Sequence, residues 1–190
     1  MDIIDKAVSV LRHDGTIVYP TETVYGLGAD AFSDEAILKV YEAKERPLSM
    51  PISIAVSDFD MLATVAQVEP HMYPFIETFL PGPVTIILTS RKLVPDVLTG
   101  GTGMIGIRMP AHNIALQIIE RFDAPITATS ANLHGSKDPR TPDECTVPRE
   151  FLIDGGRLSG IPSTVVDLKN NKILRMGAQA EAIRSFLEKI

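Results

Sequence analysis

TIVYPTETVYGLGADAF (residues 16–32) is the stretch on which the fold turns. TIVY is a β-branched and aromatic run that Pro20 stops, as expected of a short buried strand. Thr21 to Phe32 has the hydroxyl, acidic and glycine residues of a long loop. GLGADA (Gly26 to Ala31) imitates a dinucleotide-binding fingerprint, but Ala31 stands where the third glycine would be. A strand that empties into a hydroxyl-rich loop is how a ligand site begins at the edge of an α/β sheet.

Upstream, Asp2 can cap a first helix with Ile3, Ala7, Val10 and Leu11 as its apolar stripe and Gly15 as its end. Downstream, Ser33 or Asp34 opens a second helix through Ala43, with Ile37, Leu38 and Tyr41 on one face. YEAKERPLSMPI (41–52) carries that helix out into the strand ISIAV (52–56), and Asp58 starts a short helical stretch. Glu69 to Leu80 reads as a helix interrupted near Pro74. PGP is a turn before the strand VTIILT, and TGGTG leads into the strand MIGIRM. Ala111 to Phe122 is helical, and PITATS is a strand that runs into the loop SANLHGSKDPRTP. FLI, STVVDL and KILRM are short strands, the last two joined at Asn170-Asn171, and Gln179 to Ile190 is a closing helix. Alternating strands and helices with some hairpin-like neighbours predict an α/β fold, a twisted mixed sheet with flanking helices. The 190 residues show no repeat, low-complexity block or flexible linker, so 1–190 reads as a single domain.

Charged residues make up 22% of the chain, and the net charge is −6. That argues against a coat of cations for nonspecific nucleic-acid binding, but leaves room for a local basic groove. Runs such as VTIIL are far too short to span a bilayer, and the periodic, acid-containing N-terminus is unlike a signal peptide. The expectation is a soluble cytoplasmic protein with no membrane contact. The single cysteine, Cys145, excludes an internal disulfide and a cysteine-cluster metal site, and its polar surroundings suggest a surface thiol. The four histidines lack metal-ligand spacing, so no protein-held metal is expected; His112 reads as a capping or surface residue. Neither a Walker motif nor a G-x-S-x-G elbow is present.

Polar residues gather at strand ends: Thr21, Glu22, Thr23 and Tyr25 after TIVY, Arg108 after MIGI, and Thr129, Ser130 and Asn132 after PITA. Ser163 and Thr164 open STVVDL, and Arg175 ends KILR. Lys44 and Arg46 sit two apart at a helix end, with Pro47 and Pro51 stiffening the chain beyond them. Each has a plain reading as well. PTET and TSAN can be turns, the cation pair can serve a helix C-terminus, and the two arginines can form surface ion pairs.

Taken in order, GTIVYPTETVYGLGADA, EAKERPLSMPI, FLPGPVTIIL, IGIRMPAH, PITATSANLHG and PSTVVDL resemble the YrdC-like family of threonylcarbamoyl-AMP synthases, from about Ala7 to Arg175. The resemblance implies a mixed twisted sheet with helices around a concave, basic cavity. It implies a reaction of L-threonine, bicarbonate or CO2, and ATP to give threonylcarbamoyl-adenylate and pyrophosphate. A separate tRNA-modifying transferase complex would pass the activated group to adenosine 37 of tRNAs that read codons beginning with A. The family's K-x-R and S-x-N tetrad falls on Lys44, Arg46, Ser130 and Asn132. By the same resemblance Lys44 and Arg46 are catalytic, and ATP meets them together with Ser130, Asn132, Asp138 and Arg175. Threonine meets Thr21, Tyr25, Arg108 and Ser163. Mg2+ would come with ATP, held by its phosphates and water.

The chain departs from the pattern in places. Ala55 stands where some members carry a histidine, and Arg175 is followed by Met176-Gly177 rather than Pro-Gly. Longer members add a linker and a C-terminal domain, so a chain ending at Ile190 reads as the short form, with SANLHGSKDPRTP the segment that would close the site. One alternative is an RNA-binding module that uses the same cavity for tRNA contact without turnover. Only 6% aromatic residues and no Trp count against base stacking as its mode. Another is the YrdC-like module of hydrogenase-maturation carbamoyltransferases, whose zinc-finger parts a chain with one cysteine cannot supply.

Overall fold

A computed structural model describes residues 2–189; Met1 and Ile190, the ends of the expected 1–190 unit and of its closing helix, lie outside the described residues. Helix α1 (Ile3–Leu11) starts at Asp2, whose carboxylate accepts from Asp5 N at 2.7 Å while Asp5 answers on Asp2 N at 3.2 Å. It buries Ile4, Ala7, Val8 and Leu11. Its end is made by Asp14, which takes the left-handed φ of 56°, and not by Gly15. Gly15 serves by lacking a side chain: its N–H closes on Val10 O at 3.0 Å, where a Cβ would meet Val10 Cγ1 at 2.6 Å.

Strand β1 (Ile17–Tyr19) is fully buried, as its composition predicts. The expected long loop after it contains a second strand, β2 (Gly26–Gly28), antiparallel to β1 with Tyr19 opposite Gly26. The glycines let β2 pass under the Tyr19 ring, since a Cβ on Gly26 would fall 2.8 Å from Tyr19 Cζ. GLG is thus a strand packed on an aromatic ring, not a phosphate turn opening a helix. Helix α2 (Asp34–Ala43) is capped by Ser33, whose Oγ accepts from Ala36 N at 3.2 Å. Its inner face is Ala36, Ile37, Val40 and Tyr41; Leu38, expected there, points to solvent.

The remaining elements are β3 (Ile54–Ala55), α3 (Phe59–Val65), β4 (Ala66–Gln67), α4 (Tyr73–Phe79), β5 (Val84–Ser90), α5 (Asp96–Thr99) and β6 (Met104–Arg108). They are followed by α6 (Asn113–Phe122), β7 (Ile126–Thr127), β8 (Thr129–Ser130), β9 (Phe151–Leu152), β10 (Thr164–Asp167), β11 (Lys172–Arg175) and α7 (Ala180–Leu187). The expected interruption near Pro74 is a change of helix type: Pro70–Met72 forms a 3-10 turn, and α4 begins at Tyr73 with Pro74 in its first turn, where the missing N–H costs nothing. ISIAV yields only the two-residue β3.

The strands form two mixed sheets where a single one was expected. One has the order β8-β2-β1-β9; the other runs β11-β10-β5-β6-β3-β7, with β4 also on β5. The division falls within PITATS. Ile126 and Thr127 pair with β3, whereas Thr129 and Ser130 pair with β2, so one run serves both sheets. Thr127 Oγ1 stitches the crossing by donating to Leu27 O (2.9 Å) and accepting from Ala29 N (3.0 Å). The turn at 170–171 is confirmed, with Asn171 at φ 49°.

The larger core gathers α2, α4, α7 and β5, with Phe75, Phe79 and Phe186 in mutual ring contact at 4.7 to 5.7 Å. A second core lies between α1, α6 and the sheets. Cys145 belongs to the larger core and is not a surface thiol: it is 3% exposed, and burial pushes its thiol up to about 11. No helix among the described residues is long and apolar enough to cross a membrane.

Candidate active site

Seven separate segments converge on one cavity of about 240 Å³. Thr21, Lys44, Arg46, Arg108, Ser130, Asn132, Asp138, Ser163 and Arg175 all line it. Its walls carry four cationic side chains and, among the described residues, one carboxylate, Asp138. A chain of net charge −6 therefore concentrates positive charge here.

The K-x-R pair is aimed by the way α2 ends. Glu45 takes φ 50°, Arg46 N bonds Tyr41 O at 3.0 Å, and Glu45 N bonds Glu42 O at 3.0 Å, which is a Schellman turn without glycine. Lys44 is 1% exposed. Its ammonium donates to Ser130 O and to Asn132 O (2.7 Å), so it fastens the loop after β8 as well as charging the cavity. Burial, then the Arg46 charge, pull the amine down to about 8, with Asp138 opposing. Arg46 donates to Pro51 O (2.8 Å) and Met50 O (3.3 Å), and Nη1 lies 3.1 Å from His134 Nδ1. His134 N in turn donates to Lys44 O at 2.9 Å, so turn and loop grip each other from both sides. Within the loop, Asn132 Nδ2 donates to Ser136 O at 2.6 Å and lies 3.5 Å from Asp138 Oδ1.

A second group forms across the cavity. Arg108, ending β6, pairs with Glu22 at 2.7 Å and donates from Nη1 to Thr23 Oγ1 at 3.0 Å. This pair is largely buried, with 10% and 17% side-chain exposure, unlike the surface pair of the plain reading. Thr21 Oγ1 donates to Val24 O at 2.7 Å and lies 2.9 Å from Thr23 Oγ1. A third group joins Arg175 to Ser163, through O at 2.8 Å and Oγ at 3.0 Å, and Ser163 Oγ to Thr85 Oγ1 at 2.8 Å. Arg175 thus reaches the cavity despite Met176. Burial lowers its pKa, Asp138 opposing.

Tyr25 is the expected residue that the structure places elsewhere. Val24 and Gly26 on either side of it line the cavity, and Tyr25 does not. The Tyr25 ring sits in the larger core, and its hydroxyl donates to Gly156 O (2.7 Å) and accepts from Gly155 N (2.9 Å). His112 precedes α6 but caps it with no side-chain bond; its Nδ1 is buried without a partner, and burial lowers its pKa. Ser53, Thr85 and His134 also line the cavity, and sequence reasoning does not reach them. Two carry a signal: Ser53 and Thr85 are the hydroxyls that interrupt the apolar runs ISIAV and VTIIL. Among the described residues no group of three His, Cys, Asp or Glu could hold a metal ion.

This fold and these loops define a class. The family model described as "Telomere recombination", covering Sua5, YciO and YrdC proteins, matches residues 9–177, and the chain belongs to that family. It is 39% identical to a threonylcarbamoyl-AMP synthase of Pyrococcus abyssi over 85% of this chain and 49% of that protein. It is 30% identical to one of Klebsiella pneumoniae over 93% of this chain and 96% of that protein. The crystal structure of P. abyssi Sua5 complexed with L-threonine superposes with a TM-score of 0.88 at 36% identity, covering 95% of this chain and 56% of that one. The E. coli YciO crystal structure gives 0.84 at 29% identity, covering 93% and 89%. The chain spans about half the length of the P. abyssi, Bacillus subtilis and Schizosaccharomyces pombe relatives.

Proposed function

We propose that this chain is an L-threonylcarbamoyladenylate synthase, a nucleotidyltransferase that joins L-threonine, bicarbonate or CO2, and ATP. The observation that carries the reading is the convergence of Lys44, Arg46, Arg108 and Arg175, with neutral hydroxyls and an amide, on one cavity. Relatives named as synthases of this product, and a threonine complex of one similar structure, support it.

The threonine amine adds to CO2, loses a proton and becomes a carbamate. A carbamate oxygen then attacks the α-phosphorus of ATP, and pyrophosphate leaves. The nucleophile belongs to the substrate, so the protein's part is position and positive charge. Arg46 presents a planar fork to phosphate oxygens, and Lys44 a fixed point charge behind the loop. Ser130 and Asn132 can bond phosphate or ribose oxygens, Asp138 suits the sugar or base, and Arg175 lies where it can add charge near the nucleotide. Arg108 offers donors to the threonine carboxylate, with Thr21 and Ser163 close by. Mg2+ fits as a companion of the triphosphate: Asp138 is the one carboxylate on the wall among the described residues, so phosphates and water would hold most of it. It would neutralise charge on the leaving pyrophosphate.

The product would pass in the cytoplasm to a separate transferase complex that modifies tRNA adenosine. Pyrophosphate release, followed with ATP and bicarbonate present, should require threonine; release that ignores threonine contradicts the proposal.

A further inference from the structure

The ion pair beside the cavity does more than place a charge. Arg108 and Thr23 line the cavity, whereas Glu22 does not. Glu22 Oε1 holds Nη2 at 2.7 Å, and Thr23 Oγ1 holds Nη1 at 3.0 Å. Both acceptors belong to the segment between β1 and β2, whose backbone is itself pinned. Ser159 Oγ donates to the carbonyls of Glu22 (3.0 Å) and Thr23 (3.1 Å), and Gly160 N donates to Thr23 O at 2.8 Å. Arg108 hangs from β6 in the other sheet, so the pair fixes a side chain of one sheet by a loop of the other. The pair is also incomplete: Glu22 Oε2 and Arg108 Nε are buried without partners. A closed bidentate fork would use both. Arg108 is instead held at two corners and keeps donors for a further acceptor.

We propose that Glu22 is a positioning residue that sets the Arg108 guanidinium for the carboxylate of the amino-acid substrate, a role that rests on the proposed reading of Arg108. A carboxylate near an anion site could instead compete with the substrate for the fork. The placement of Glu22 off the cavity wall favours holding over competing.

The test compares wild type, Glu22→Gln and Glu22→Ala in threonine titrations at saturating ATP and ATP titrations at saturating threonine. Gln keeps an acceptor and drops the charge; Ala removes both. Positioning predicts a threonine KM within about three-fold of wild type for Gln and about ten-fold or more higher for Ala, with the ATP KM unchanged in both. A threonine KM that falls in the Ala variant makes Glu22 a competitor and overturns the proposal. Equal rises in both KM values overturn it too, since a distorted cavity would give that result. If Glu22→Ala does not fold, Glu22→Asp replaces it: Asp keeps the charge but withdraws the acceptor by one carbon, and the threonine KM should rise while the ATP KM does not; an unchanged threonine KM overturns the proposal. No threonine-dependent turnover in wild type strikes at the proposed function, whereas wild-type turnover with unaltered Glu22 variants strikes at Glu22 alone.

Discussion

Lys44 is where packing and chemistry meet in one side chain. Lys44→Met keeps the stem and deletes the ammonium, which leaves Ser130 O and Asn132 O without their donor. The expected loss of stability is about 1–3 kcal/mol, read as a lower melting temperature. The expected fall in kcat/KM for ATP is about 100-fold, in the range for removing one preorganised donor from a transition-state site. The pH dependence has opposite signs for activity and stability. Lys44 is held at about 8, below its ordinary 10.5. As pH rises through 8 the cavity loses this cation, so the ATP KM should rise, and Lys44→Arg should move that limb upward. The fold bears the cost of a buried charge at and below pH 8, and this group's contribution to stability grows between 8 and 10.5, where the unfolded chain binds more protons. The tetrad residues were legible only through the resemblance, since taken singly the K-x-R and S-x-N pairs read equally as a helix end and a turn. The aim of Tyr25 was not, because its hydroxyl is held by Gly155 and Gly156, about 130 positions away.

At the scale of elements, the end of α2 is the feature with most consequence for the site. Glu45 occupies a left-handed position at a cost of about 1–2 kcal/mol for a non-glycine residue. Glycine there would remove that strain but add about 0.5–1 kcal/mol of unfolded-state entropy. Glu45→Gly should therefore raise stability by about 0.5–1 kcal/mol in a denaturant titration while leaving turnover intact, because the turn keeps its aim; a loss of stability contradicts this view of the turn. The helix and its Ser33 cap were readable from periodicity and cap chemistry, and Asp58 likewise announced α3. Strand β2 was hidden, because glycine has low strand propensity and the need for it here comes from the Tyr19 ring that packs against β2. The split of PITATS between two sheets was hidden as well. A two-residue strand does not encode its partner, and Thr127 settles the matter through bonds to residues about 100 positions away.

For the whole molecule, alternation of strands and helices gave the α/β class directly, while the division into two sheets emerges only from long-range pairing. The site depends on that division. The segment between β1 and β2 and the loop after β8 come from the four-stranded sheet, and Arg108, Ser163 and Arg175 come from the other. A cavity walled by both sheets draws the proposed partners of each substrate from either side, Thr21 and Ser130 from one and Arg108 and Arg175 from the other, which suits joining two substrates better than it suits binding RNA along a surface. In the proposed reaction both substrates are joined through a carbon from bicarbonate. Incubating the protein with ATP, threonine and carbon-labelled bicarbonate, then resolving the products by mass spectrometry, tests it most directly. A synthase yields a threonylcarbamoyl-adenylate carrying the label, formed together with pyrophosphate. ATP turnover without a labelled adenylate, or retained RNA binding without any product, would contradict it.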